Sequence, residues 1–187
     1  MEDRKVQIIK LSIELIKKYG YDSFSYADLS KTLGITKASI HHHFPKKDNL
    51  GLEICSYLQT HMLEEFATIL SEHTSAKIKI KNYFNLYANI IKEGDKICPI
   101  ASLEAEANII SKDMRTIITL IDDSENKFIV KILNMGIESG EFNIVGSVEA
   151  EAMLIASTLK GALQYARIHG KQYYNKITTQ LIAHLLK

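Results

Sequence analysis

An all-α fold is predicted by three observations. Apolar residues recur at helical spacing in nearly every segment, no stretch alternates convincingly with period two, and only two prolines and nine glycines interrupt 187 residues. That length suits one compact domain, or a small module joined to a larger one. The chain is 46% hydrophobic and 24% charged, which excludes a disordered or fibrous class. It opens with no charged-then-apolar leader, and no apolar run is long enough for a bilayer, so a cytoplasmic protein is expected. Cys55 and Cys98 are too few and too far apart for a disulfide framework and are expected to be reduced.

In residues 3–19, Val6, Ile9, Ile13 and Ile16 form one stripe, and Ile8, Leu11, Leu15 and Tyr19 form its neighbour. Together they cover more than half of a helix, which marks it as central, and Gly20 stands at its C-terminal end. Ser25 and Asp28 form a capping box for a helix over about 26–33. Gly34 supplies a tight turn, Thr36 caps a second short helix over about 37–43, and Pro45 stops it. Helix, glycine-containing turn, helix is the helix-turn-helix pattern. Longer helices are predicted over 47–71 and 75–93, then from Pro99 to about 110, with Gly94 as a break. The remaining ones span about 113–138, 147–169 and 172–186, divided at "GIESGEF" and at Gly170.

The short second helix carries three consecutive histidines in "KASIHHHFP". Adjacent helical positions point about 100° apart, so His41, His42 and His43 cannot converge on one ion. His61, His73, His169 and His184 are dispersed and no HExxH occurs, so no metal, cofactor or catalytic residue is expected. Ile40 and Phe44 share a face and can anchor the helix against Leu29 and Leu33. The surrounding Thr36, Lys37, Ser39, His42 and Lys47 can all donate hydrogen bonds and none is acidic. Residues 1–50 carry nine Lys/Arg against six Asp/Glu, a mild basic excess over the rest. By spacing alone this face is either a DNA-reading surface or the solvated side of a helical hairpin.

Residues 8–52, centred on "SYADLSKTLGITKASIHHHFPKKDNLGL", resemble the N-terminal DNA-binding domain of the tetracycline-repressor (TetR) family of transcription regulators. The matching places are Ala27, Gly34-Ile35-Thr36, His41-His42-His43-Phe44 and Lys47, with His41 where the family most often has Tyr. The resemblance implies an all-α chain with a helix-turn-helix domain over 1–48 and a helical ligand-binding and dimerisation domain over 49–187. It implies that Ser25, Tyr26, Thr36 and Lys47 approach phosphates. Lys37 and Ser39 would face base edges beside the small Ala38, and His41 and His42 would contact backbone or bases. The partners it implies are a double-stranded operator, a small-molecule effector and a second copy of the chain.

Within the larger part, "CPIASLEAE" and "GIESGEF" also resemble segments of some family members. Met62, Phe66, Tyr83, Tyr87, Leu103, Asn108, Met114 and Phe128 are the candidates for lining an effector pocket; ordinary core is the alternative for each. Glu104 and Glu106 could face a cationic ligand or solvent. Small residues four apart, Ala152 with Ala156, Ser157 with Gly161 and Ala162 with Ala166, permit close helix approach. With Ile177, Leu181 and Leu185 of the last helix they are the expected dimer interface, tight packing inside one chain being the alternative. A ligand-released repressor follows from the resemblance. A thiol-based redox regulator acting through Cys98, just before Pro99, and a DNA organiser without an inducer are the alternatives.

Overall fold

The apolar stripes fold as helices in a computed structural model that describes residues 3–92 and 96–186. Nine helices and no strand occur among the described residues: α1 Arg4–Tyr19, α2 Tyr26–Leu33, α3 Lys37–His43, α4 Lys47–Ser71, α5 Ala76–Lys92, α6 Pro99–Ala105, α7 Lys112–Glu138, α8 Val148–His169 and α9 Lys171–Leu185. Gly94 lies outside the described residues. The chain forms two compact bodies, Met1–His61 with Pro99–Leu120 and Met62–Cys98 with Ile121–Lys187. The reading head of the sequence therefore takes in a segment that returns to it from beyond residue 98.

In the first body, Asp3 caps α1 by accepting from the Lys5 N–H at 3.0 Å, and Gly20 ends the helix at φ 89°. Asp28 accepts from both the backbone N–H and the hydroxyl of Ser25, at 2.8 and 2.7 Å, which fixes the start of α2. That bonding, led by the Ser25 hydroxyl, holds the Asp28 carboxyl below its usual range. Gly34 turns the chain in the left-handed region at φ 63°, and Thr36 Oγ1 accepts from the Ser39 N–H at 3.2 Å to begin α3. Leu29, Ile40 and Phe44 are fully buried, so α2 and α3 pack on the stripe that the sequence predicts.

The helix after Pro99 is shorter than its pattern suggests. It ends at Ala105, and the chain continues through turns, with Ala107 N–H bonding Glu104 O and Ile109 N–H bonding Glu106 O. Arg115 donates to Ala107 O at 3.0 Å across the turn. The Glu106 side chain is drawn instead toward the end of α1, as described below.

In the second body, α5, α8 and α9 pack together around Ile80, Phe84, Ile155, Leu159, Leu163 and Tyr174. Lys79 is only 1% exposed; its ammonium donates to the carbonyls of Ile69 (2.9 Å), Leu70 (3.2 Å) and Glu72, neutralising the C-terminal end of α4. The "GIESGEF" turn closes α7 with Glu141 and Phe142 N–H groups on Gly136 O. There the Phe142 ring takes the place of a side chain, since a Cβ on Gly136 would stand 2.0 Å from it. The Glu141 carboxylate then accepts from the N–H groups of Ala76 and Lys77, at 3.3 and 3.0 Å, and begins α5.

Those bonds, the Lys77 N–H foremost, hold the Glu141 carboxyl below its usual range. A depressed carboxylate stabilises the fold above its unfolded-state pKa and loses that contribution as pH falls through the folded one. Urea titrations should find the wild type more stable than Glu141→Gln at about pH 6, with the gap closing below about pH 4.

Candidate nucleic-acid interface

α3 presents two adjoining exposed stripes one turn long, Lys37 with His41 and Ala38 with His42. Ala38 and His42 lie opposite the buried Ile40 and Phe44, and Lys37 with His41 flanks that buried face. Phe24, Ser25, Tyr26, Ala27, Lys37, His41 and Lys47 line one open groove beside this helix. The fold thus brings together five of the nine candidate DNA contacts. Thr36, Ala38, Ser39 and His42 lie along α3 outside that groove, and Ser39 is half-buried.

Several of these side chains already have partners. The Ser25 hydroxyl donates to Asp28, and the Tyr26 hydroxyl donates to Phe44 O at 2.8 Å. Burial is the main reason the Tyr26 phenol is pushed up to about 12, so it remains a neutral donor. Lys47 donates to Phe24 O at 2.7 Å and to Asp22 O at 3.3 Å, with its ammonium over the Tyr21 and Phe24 rings. Burial lowers its pKa. Lys47 is therefore first a tie between the start of α4 and the loop before α2, which engages two of its three N–H groups. His41 Nδ1 lies 3.3 Å from Pro45 O, and its ring stands edge-on to Tyr26 at 4.8 Å. Among the described residues, Lys37 has no partner.

Glu106, read from the sequence as facing a cationic ligand or solvent, has a different role. Its two carboxylate oxygens accept from consecutive backbone N–H groups, Tyr21 at 2.9 Å and Asp22 at 2.8 Å. It is half-buried, with both oxygens engaged by the backbone. Gly20 allows the approach, because a Cβ there would stand 2.2 Å from the Glu106 oxygen. Ser102 adds a 3.4 Å bond to Ile16 O, so α6 and the turn after it grip the end of α1. One of two glutamates in "SLEAEA" carries no sequence signal for this, since its partners lie 85 and 84 residues away.

The eight pocket candidates divide between the two bodies. Phe66, Tyr83, Tyr87 and Phe128 are buried together in the second, Phe66 stacking on Phe128 at 4.0 Å and Tyr83 edge-on to both. Met62 is half-buried. Leu103 and Met114 are fully buried in the first body, where a Cβ on Gly51 would stand 2.5 Å from the Met114 sulfur, and Asn108 is exposed. Tyr83 and Tyr87 both donate to Glu125, a carboxylate only 2% exposed. Burial, with the Glu125 charge adding to it, raises both phenols well above the ordinary range. Lys160 completes this cluster at 3.7 Å from Glu125 and 2.7 Å from Asp122. Glu125 and Lys160 are additions to the sequence-predicted set.

The dimer candidates also divide. Ala152, Ala156, Ala162, Ala166 and Leu185 are buried inside the protomer, and Ile177 and Leu181 are half-buried. Ser157 and Gly161 are exposed, on a stripe with Leu154, Tyr165 and Ile168, the last 81% exposed. Tight packing within one chain thus accounts for the alanine pairs, and the exposed stripe is a different face of the same helix.

Among the described residues no group of three His, Cys, Asp or Glu could hold a metal ion, and no helix is long and apolar enough to cross a membrane. A helix-turn-helix head with an exposed second helix is the architecture found in DNA-binding regulators. Residues 8–54 match the family of bacterial regulatory proteins described as tetR family. A TetR-family transcriptional regulator from Agrobacterium tumefaciens is 26% identical and superposes with a TM-score of 0.93 over 98% of this chain and 97% of that one. The HTH-type transcriptional repressor AcnR of Corynebacterium jeikeium is 37% identical over 54 residues, a match spanning 29% of this chain and 29% of that repressor. The nucleoid occlusion factor SlmA of a Marinomonas species is 19% identical over 82% of this chain and 78% of its own length. Residues 8–54 thus carry a tetR-family N-terminal domain, on a fold that the whole chain shares with a TetR-family regulator.

The grip on the head is open to a thermodynamic test. Glu106→Ala should destabilise the protein by about 1–3 kcal/mol, the worth of charged hydrogen bonds to backbone donors left unpaired. Gly20→Ala, which is strained at positive φ and displaces the same carboxylate, should destabilise it too. Because both changes break one contact, urea denaturation of the double variant should show a loss smaller than the sum of the two.

Proposed function

We propose that the chain is a homodimeric repressor that binds a palindromic operator through α3 and is released by a small molecule. The observation that carries this reading is the recognition helix itself. Its outer stripes, Lys37, Ala38, His41 and His42, are exposed and free of acidic residues, while Ile40 and Phe44 hold it rigidly from behind. A short helix so mounted fits the major groove, where side chains reach base edges. Ser25, Thr36 and the third N–H of Lys47 would then flank it along the phosphates. Two heads engage adjacent half-sites when held about 34–36 Å apart, so an effector that favours another spacing releases the DNA.

The second copy is supported by the exposed stripe Leu154, Ser157, Gly161, Tyr165 and Ile168 on α8, an apolar face that a lone protomer leaves in water. The Tyr83–Tyr87–Glu125 cluster favours an effector site in the second body, since buried phenols and a carboxylate could be re-partnered by a polar ligand. The thiol alternative has less support, because Cys98 is only 5% exposed. Equal operator release by wild type and Cys98→Ser under peroxide removes it. The organiser alternative draws on the likeness to a nucleoid occlusion factor over most of the chain.

Selection from a random DNA pool should enrich a palindrome; no enrichment above nonspecific binding refutes the reading. Lys37→Ala should then broaden the selected sequence, whereas Lys47→Ala should weaken all sequences and reduce the salt slope by about 1. Gly161→Arg tests the dimer cleanly, because a Cβ there meets nothing within 4 Å inside the protomer. Arginine also favours helix over glycine. Sedimentation should find this variant folded but monomeric, with operator affinity reduced at least about tenfold through lost two-site binding.

A further inference from the structure

We infer that His41 is a hydrogen-bond acceptor that reads an exocyclic amino group, on adenine or cytosine, and does not contact a phosphate. The inference rests on the DNA-binding reading above and specifies the chemistry of one contact within it.

His41 Nδ1 lies 3.3 Å from the Pro45 carbonyl oxygen. A carbonyl only accepts, so Nδ1 carries the proton in that bond. In the neutral imidazole the other nitrogen then holds a lone pair and no hydrogen. Nε2 is thus an acceptor, on a ring edge turned away from Pro45, and no partner meets it among the described residues. The ring is held on a second side by Tyr26, edge-on at 4.8 Å, and the Tyr26 hydroxyl is itself tied to Phe44 O. Lys37 from the same helix and Lys47 from α4 line the same groove, with Asp48 near enough to act on Tyr26. His42 differs: it touches the His43 ring at 5.5 Å but no hydrogen bond fixes either nitrogen, so it can present either polarity.

Phosphate oxygens accept hydrogen bonds and cannot donate them, so a lone pair gains nothing there. In the major groove the only base donors are the amino groups of adenine N6 and cytosine N4. Guanine O6 and N7 and thymine O4 would set acceptor against acceptor. The fold therefore makes His41 a selector for an amino-bearing base, with its direction fixed by Pro45 and Tyr26.

The test starts from the operator selected from a random pool. Each adenine is replaced in turn by purine and each cytosine by a pyrimidinone lacking the amino group. Affinities of wild type and His41→Phe are compared by fluorescence anisotropy at about pH 8, where imidazoles are neutral. One position per half-site should cost the wild type roughly three- to tenfold and cost the variant nothing. Wild-type indifference to every amino deletion, or equal sensitivity in the variant, overturns the assignment. Failure of the selection itself would instead overturn the DNA-binding reading. Should the variant not fold, NMR of the imidazole nitrogens in the full-length wild type decides: a proton on Nδ1 is expected, and a proton on Nε2 alone overturns the inference.

Discussion

Two consecutive backbone N–H groups, on Tyr21 and Asp22, point into one carboxylate, Glu106, and the geometry of the reading head hangs on that contact. They follow the last residue of α1, where the chain has turned away from the helix and has no partner of its own for these donors. Answering both with a single side chain sets the direction in which the chain leaves α1. That direction places Phe24 and the Asp22 carbonyl under the Lys47 ammonium, and it places Ser25 where Asp28 can cap α2. The Tyr21 hydroxyl closes the loop by donating to Lys47 O at 3.0 Å. Each tie is modest, but they share atoms, so loosening one loosens its neighbours.

The head therefore spends most of its polar side chains on itself. Ser25, Tyr26, Thr36, Lys47 and one face of His41 all bond within the chain, which leaves few polar groups of α3 unengaged among the described residues. Rigidity is the gain. A side chain whose rotamer is already fixed loses little entropy on binding, and its hydrogen-bond polarity is decided before the partner arrives. Lys37 stands at the other extreme, a long, flexible cation with no partner among the described residues.

Most of the fold was legible in the sequence because helices announce themselves locally. Caps at Ser25 and Thr36, stops at Gly20, Gly34 and Gly170, and apolar stripes at helical spacing act within a few residues. The bounds of α2, α3 and α4 match the pattern closely. What was not legible depends on partners far away in the chain. The helix after Pro99 stops at Ala105 because Glu106 answers donors of the α1–α2 turn, a demand that residues 99–110 do not carry. Lys79 reads as one more polar residue on α5, yet its ammonium is buried among the last carbonyls of α4. Glu125 reads as a surface charge on α7 and is instead the shared acceptor of two phenols.

The small residues of α8 show where local reasoning reaches its limit. Spacing of four says that a helix can be approached closely, but not from which side or by whom. Ala152, Ala156, Ala162 and Ala166 fall on the side shared with Ile155, Leu159 and Leu163, and all of these are buried within the protomer. Ser157 and Gly161 fall on the opposite side, with Leu154, Tyr165 and Ile168 in water around them. A glycine in an exposed helix interior costs about 1 kcal/mol relative to alanine, and nothing within the protomer approaches Gly161 to offset that. Bulky apolar side chains beside it add a second cost, since each leaves area in water that a partner would remove. Both costs are recovered together if a second α8 lies across this stripe, its backbone over Gly161 and its apolar side chains against Leu154 and Ile168. The feature that argues for the dimer is thus the conjunction of one missing side chain with large exposed ones on the same face, and periodicity alone could not separate that face from the buried one.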